Sequence, residues 1–247
     1  MVTMGTRPST VDHDVCYSSI VEDEYHVRQW DPFGGWAIDI GAHVGAVTCA
    51  LAYQNPDLRI VAVEIVPENV QMMKDNLERN GFADRVHILT EAAGGPDEIS
   101  RTCFMRHRSH PKASTAYVNK HRFIGNSFWD TAVGGAFDSE AVDIPTISLS
   151  GIMERYGIDE VEFLKIDAEG AEWAFLLDHA VARVKYIIGE YHWDYRGQGD
   201  AARHVAGAQA HERQEFAQEE LFALLGDTHH LTVAEHPTIG HFEALLR

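Results

Sequence analysis

The run Ala37-Ile38-Asp39-Ile40-Gly41-Ala42-His43-Val44-Gly45-Ala46-Val47-Thr48 leaves few folds open to this chain: an apolar segment breaks at a glycine-punctuated turn and resumes with a helix-like pattern. It reads as strand, turn, helix. Gly41 and Gly45 remove side chains where the backbone turns tightly and a ligand can approach, and the free N–H groups opening the next helix can bind an anion. The dinucleotide fingerprint G-x-G-x-x-G is absent, because Ala42 and His43 fill the places after the first glycine. The turn therefore suits a ligand other than a pyrophosphate.

At 247 residues the chain fits one α/β domain with an insertion. The expected division is a leader and covering helix over residues 1–35, an inserted lid over 94–145 and a flexible flap over 194–211. A formal net charge of -18 argues against nucleic acid and against anionic membranes as partners. Cys16, Cys49 and Cys103 lie far apart without C-x-x-C spacing, so neither a disulfide framework nor a zinc ribbon is implied. No basic start leads into an apolar run, and no apolar stretch nears the ~18 residues of a membrane span, so the expectation is a soluble cytoplasmic protein. Fifteen histidines are scattered without shared spacing, and no metal site is read from them.

Residues 1–10 show no apolar period, the pattern of a mobile leader. Between Asp14 and Trp30, Ile20, Val21, Tyr25 and Val27 among acids predict a covering helix, stopped by Asp31-Pro32-Phe33-Gly34-Gly35. Beyond the glycine turn a helix ends at Asn55-Pro56-Asp57, and Arg59-Ile60-Val61-Ala62-Val63-Glu64-Ile65 follows, the near-continuous run of a parallel strand covered on both faces. Glu64 stands roughly 20 residues past the turn, where a Rossmann-like fold hydrogen-bonds ribose hydroxyls; a solvated strand-end acid is the plainer alternative. Pro67-Glu68 opens a helix with Val70, Met73 and Leu77 on one stripe and Gly81 as its stop. The strand Arg85-Val86-His87-Ile88-Leu89 ends at Thr90-Glu91-Ala92-Ala93, where Glu91 can accept from an adenine amino group and Ala92 leaves room for the ring.

From Gly94 to Pro145 the alternation of strand and helix stops, which predicts an inserted hairpin or lid. Arg101 to Arg122 holds six cations and no acid, so Arg106, Arg108 and His110 are candidate contacts for an anionic substrate group. A solvated hairpin balancing neighbouring acids explains the same charges. Thr146 to Met153 reads as a brief strand entering a helix stopped at Gly157. Val161-Glu162-Phe163-Leu164-Lys165-Ile166-Asp167 is then a buried strand delivering Asp167 to its carboxyl end, ahead of a helix from Trp173 to His179. Asp39 and Asp167 would flank the crevice outside the strand ends, where a carboxylate binds an ammonium or takes a proton from a hydroxyl. Val184 to Gly189 forms the next strand, and Glu190 and His192 beyond it share one strand face, with Tyr191 a candidate substrate contact. His192 is the better general base, since its unperturbed pKa lies near operating pH. A helix from Glu212 to Leu225 precedes two closing segments, Leu231 to Ala234 and Gly240 to Leu246, and those two read as a terminal hairpin.

These segments together resemble the FkbM-type family of class I S-adenosylmethionine (SAM) dependent methyltransferases. The likeness rests on Ile38-Asp39-Ile40-Gly41-Ala42-His43-Val44-Gly45, Val63-Glu64-Ile65-Val66-Pro67-Glu68-Asn69, Ala92-Ala93-Gly94 and Leu164-Lys165-Ile166-Asp167-Ala168-Glu169-Gly170-Ala171-Glu172, in the family's order. It covers Ile20 to His192, matching the lid only by position. The resemblance implies a Rossmann-like α/β fold: a mostly parallel seven-stranded sheet with a C-terminal reversed strand and an inserted lid. It implies O-methylation of a small molecule, often a sugar or secondary metabolite, at a hydroxyl or carboxylate, with S-adenosylhomocysteine (SAH) as product and Gly41, Glu64 and Asp167 at the cofactor. Joined to the residues read above, the candidate cofactor set is Asp39, Gly41, Ala42, His43, Gly45, Glu64, Ile65, Glu91, Ala92 and Asp167. The candidate catalytic set is His192, Asp167 and Glu190, and the substrate set is Arg106, Arg108, His110 and Tyr191. His43 stands where the family more often has Asn. Mg²⁺ held by Asp167 and neighbouring carboxylates stays open. So do two other readings: a nicotinamide oxidoreductase, which would share Glu64 but needs the missing three-glycine turn, and a SAM-binding protein without catalysis.

Overall fold

A computed structural model describes residues 1–8, 10–106, 139–168, 171–192, 222–234 and 239–247. The chain enters through α1 (Asp12–Cys16), a wider helical turn at Tyr17–Glu22 and a 3₁₀ turn at Val27–Gln29. The single covering helix expected here is thus three short pieces. Left-handed backbone at Asp23 and His26 breaks the helical path, which lets Tyr25 and Val27 turn inward and bury. The expected leader carries hydrogen bonds to residues far along the chain. Thr3 and Asn80 exchange hydrogen bonds of 2.8 Å, the Gly5 N–H donates to the Asn76 side chain at 2.6 Å, and Arg7 binds both Asp12 and Asn69. Backbone-to-amide pairing of this kind leaves no hydrophobic period to read.

Beyond this entry come β1 (Gly35–Ile40), α2 (Ala46–Gln54), β2 (Leu58–Val63), α3 (Pro67–Asn80) and β3 (Val86–Leu89). Next come β4 (Ala92–Ala93), β5 (Ser100–Arg106) and β6 (Ser139–Ile147), with β5 and β6 paired antiparallel and β4 parallel to β6. Next are α4 (Leu149–Tyr156), β7 (Val161–Ile166), α5 (Glu172–Leu176) and β8 (Val184–His192). Helical residues 222–228 lead into β9 (His229–Ala234) and β10 (Ile239–Leu246). The helix expected over Glu212–Leu225 falls largely outside the described residues, as does the flap at 194–211.

Among the described residues the main sheet has seven strands in the order β3-β2-β1-β7-β8-β10-β9. β1, β2, β3, β7 and β8 run parallel, and β10 runs against both β8 and β9. The chain moves outward from β1 to β3, then crosses to β7 on the other side, so the switch point lies between β1 and β7. Alternate residues of the central strands serve opposite faces. Ile38, Val61, Leu164 and Ile187 pack with Leu149, Ile152 and Phe175 beneath one face, while Ala37, Ile60, Phe163 and Tyr186 pack with Leu51, Met73 and Leu77 on the other. Burial on both faces explains why these strands read as continuous apolar runs. Among the described residues no helix is long and apolar enough to cross a membrane.

Candidate functional site

The turn after β1 sits at the switch point. The Gly41 and Ala42 N–H groups both donate to the Val63 carbonyl at 3.0 Å, binding the turn to the end of β2, and the Gly45 N–H closes it on Ala42 at 2.8 Å. Gly41 and Gly45 have φ of 73° and 81°. A Cβ on Gly41 would collide with the Asp167 carbonyl, and one on Gly45 would press on the Met73 side chain. Both glycines are therefore required by packing against β7 and α3, a reason the sequence alone did not offer. His43 takes a left-handed φ of 51°, a conformation for which Asn, Asp and His are the usual non-glycine choices. Its imidazole is largely buried, and among the described residues neither ring nitrogen has a hydrogen-bond partner. Burial pulls its pKa down to about 4, against the opposing pull of Asp12, whose Oδ1 lies 3.8 Å away.

Glu64 follows the last residue of β2 and is buried. Its Oε2 accepts from the His43 N–H at 2.9 Å and its Oε1 from the Val66 N–H at 2.8 Å. Burial raises its pKa; donors from Val66, His43, the Asn69 side chain and the Ile65 backbone pull against that rise without cancelling it. The carboxylate is thus locked to the glycine turn, and a ligand's hydroxyls would share its acceptor sites rather than find them vacant.

Asp39 and Lys165 are register partners on β1 and β7. Asp39 is fully buried and accepts from the Thr48 hydroxyl at 2.6 Å, with its other oxygen 3.6 Å from Lys165 Nζ. Asp39 therefore does not flank the crevice as expected; it lies beneath it. Lys165, which sequence reasoning passed over, donates to the carbonyls of Ile40 at 3.1 Å and Gly41 at 2.9 Å, stands 4.0 Å from Asp167 and packs over the Tyr25 ring. Burial pulls its ammonium pKa down, but Asp39, Asp167, Glu190 and Glu24 more than offset this and hold it above the ordinary value. Its apolar neighbours Phe163, Leu164 and Ile166 hid it; a lone cation at the buried end of the strand was the available signal. Asp167 is the accessible carboxylate here, its side chain 28% exposed, with the Tyr25 hydroxyl donating at 3.4 Å. The acceptors fit a cationic nucleoside in kind: Asp167 for an ammonium, Glu64 for hydroxyls.

Glu190 lies on β8 with Oε1 3.6 Å from His241 on β10, and its charge reaches both Lys165 and Tyr25. His192 ends β8 two positions further on, after Tyr191. Glu91 does not stand free for an adenine: Arg155 of α4 forks onto both its oxygens at 2.8 and 2.6 Å. Ile65 and Ala92 meet in a small apolar cluster with Ile144. Arg106 ends β5, while Arg108 and His110 lie outside the described residues, and Arg101 at the start of the basic island is spent on Glu98 at 2.8 Å. Among the described residues no group of three His, Cys, Asp or Glu is disposed to hold a metal.

The chain is similar to known proteins in sequence and in fold. Residues 39–225 match the family profile described as Methyltransferase FkbM domain. The chain is 37% identical over 57 residues to O-methyltransferase imqG of Aspergillus flavus, a match spanning 23% of each chain. It is 23% identical over 203 residues to methyltransferase sdnD of Sordaria araneosa, covering 75% of this chain and 73% of that protein. A candidate rRNA-methylase from Clostridium thermocellum superposes with a TM-score of 0.51 at 10% identity, over 92% of this chain and 96% of that one, a likeness of fold alone. With the profile running from the acid of β1 through to the helix before β9, the chain belongs to the methyltransferase FkbM domain family, whose members are SAM-dependent.

Proposed function

We propose that the chain transfers a methyl group from SAM to an oxygen of a small molecule, a hydroxyl or carboxylate on a sugar or secondary metabolite. The reading is carried by the meeting of the Gly41 turn, Glu64 and Asp167 at the carboxyl ends of three adjacent parallel strands. SAM, when bound, supplies a methyl already activated on a sulfonium, which leaves positioning and proton removal to the chain. Glu64 shares its lone pairs with ribose hydroxyls, Ile65 and Ala92 offer an apolar wall to the base, and Asp167 accepts from the ammonium. Asp39 acts from below, through Lys165. Glu91 serves an adenine only by loosening its hold on Arg155. Asp167, Glu190 and His192 are the candidates for taking a hydroxyl proton; a carboxylate acceptor needs none of them. Arg106, Arg108, His110 and Tyr191 are the proposed contacts for an anionic acceptor. Oxygen as the acceptor atom is supported by the name that imqG carries. The nicotinamide alternative finds no support in the family match.

The test is incubation with methyl-labelled SAM and a panel of hydroxylated acceptors, with and without an anionic group. Label on oxygen is the expected result; label confined to nitrogen, or none with any acceptor despite cofactor binding, overturns it, the latter in favour of a non-catalytic SAM-binding protein. Reversing the charge of Arg106 and Arg108 together should raise KM for an anionic acceptor and leave SAM affinity intact. Unchanged acceptor kinetics would remove the basic island from the site. His192→Ala should cut turnover more than SAM affinity, and a wild-type pH profile would remove it as the base.

A further inference from the structure

The amino-terminal segment is wired to the acid at the end of β2. Arg7, its side chain 8% exposed, forks onto Asp12 through Nε and Nη2 at 2.8 Å each, and the same Nη2 donates to Asn69 Oδ1 at 2.7 Å. Asn69 lies fully buried in the first turn of α3, and its side chain hydrogen-bonds Glu64. The other side of Glu64 receives the His43 N–H, and the His43 imidazole returns to within 3.8 Å of Asp12. The contacts close a ring: Asp12, Arg7, Asn69, Glu64, His43 and back to Asp12. Residues 3 and 5 fasten the segment further along α3 through Asn80 and Asn76.

The geometry points to Arg7 as a positioning residue of the cofactor site, orienting Asn69 so that Glu64 is held ready for the hydroxyls of a nucleoside. The inference rests on the proposed SAM-binding role of Glu64 and extends it to a segment that sequence reading set aside. A side-chain amide can present its NH₂ to a carboxylate only if its oxygen is satisfied elsewhere. In a buried site that oxygen needs a fixed donor, because an unpaired one costs the full desolvation of the group. The planar guanidinium serves Asp12 and Asn69 at once, which a lysine ammonium on a flexible stem does not reproduce. The consequence lies in the nucleoside half of the ligand. A change at Arg7 acts on any molecule bearing the adenosine ribose, with or without the amino-acid tail.

Two probes separate this from other roles: SAH, and 5′-methylthioadenosine, which keeps the nucleoside and lacks the tail. Binding is measured by calorimetry on the full chain, well below the unfolding midpoint, for wild type, Arg7→Lys, Asn69→Ala and the double variant. Arg7→Lys should weaken both probes by the same factor, about tenfold, the scale of one hydrogen bond to a charged group. The double variant should lose no more than Asn69→Ala alone, because both changes break one chain of contacts. KM for SAM should rise with kcat held. A loss for SAH with 5′-methylthioadenosine unaffected would place Arg7 at the amino-acid tail and overturn the proposal. A lowered midpoint with unchanged affinities would reduce Arg7 to a structural role, and tighter binding would make Asn69 a competitor of the ribose; either result defeats the inference. If Arg7→Lys fails to fold, Asn69→Ser reads the same link from its other end. A wild-type chain that binds neither probe would instead defeat the SAM reading itself.

Discussion

His43 concentrates three demands in one residue: left-handed backbone, a buried imidazole and a backbone N–H aimed at Glu64. The backbone demand explains why Asn suits the position, since its short polar side chain tolerates this region. The buried ring has a consequence for pH. Its folded pKa of about 4 lies below the ordinary value near 6.5, so the unfolded chain takes up a proton that the folded one excludes. Stability from this group is complete above pH 6.5, falls as pH drops toward 4 and changes no further below that. The full effect is on the order of 3 kcal/mol, with His229, also depressed by burial, adding in the same direction. Urea denaturation between pH 7 and 4 should show the loss, and His43→Asn should flatten it while keeping the turn; an unaltered slope would mean the imidazole charges in place. Glu64→Gln tests the other end of that N–H. An amide cannot accept at both oxygen positions, so one of the His43 and Val66 donors is left facing an NH₂ group, which should cost about 1–3 kcal/mol and weaken SAH binding as well.

At the level of elements, the sheet depends on how β1 is tied to its two neighbours. β2 holds the turn through the Val63 carbonyl, and β7 holds it through Lys165, whose ammonium donates to the last carbonyl of β1 and to that of Gly41 while facing Asp39. Lys165→Met should cost about 3–5 kcal/mol, because Asp39 is left buried without its cation. Asp39→Asn in the same chain should recover part of that loss, and strict additivity in denaturant would show that the two do not interact. The elements legible in the sequence were those whose burial shows as a continuous apolar run or as a helical stripe: β1, β2, β3, β7 and α3 lie within a residue or two of their expected bounds. The entry segment was not legible, because left-handed residues and Asn side chains hold it in place of an apolar stripe. β8 runs on to His192, past the expected stop at Gly189, because β10 pairs with it along that length, and no local pattern encodes a partner so late in the chain.

Over the whole molecule, the site is a product of topology before it is one of residue type. Glu64 and Asp167 are far apart in sequence, and only the crossover from β3 to β7 sets them on either side of one turn. That is why the ends of the strands could be nominated from motif order, while the fates of Asp39 and Glu91, one buried beneath the turn and the other paired with Arg155, could not. The same topology predicts where a ligand's stabilisation will be felt. At a hundred times its dissociation constant SAH should add about 2.7 kcal/mol to folding. Amide hydrogen exchange should record that gain at Gly41, Ala42, His43, Glu64 and Val66, whose N–H groups close the turn on β2 and Glu64 or, for Glu64 itself, bond to Leu89. The β9–β10 pair, at the far edge of the sheet, should exchange at its ligand-free rate wherever it opens without global unfolding. Protection spread evenly over both regions would mean that the ligand stabilises the fold without meeting this turn, and the site would have to be sought elsewhere.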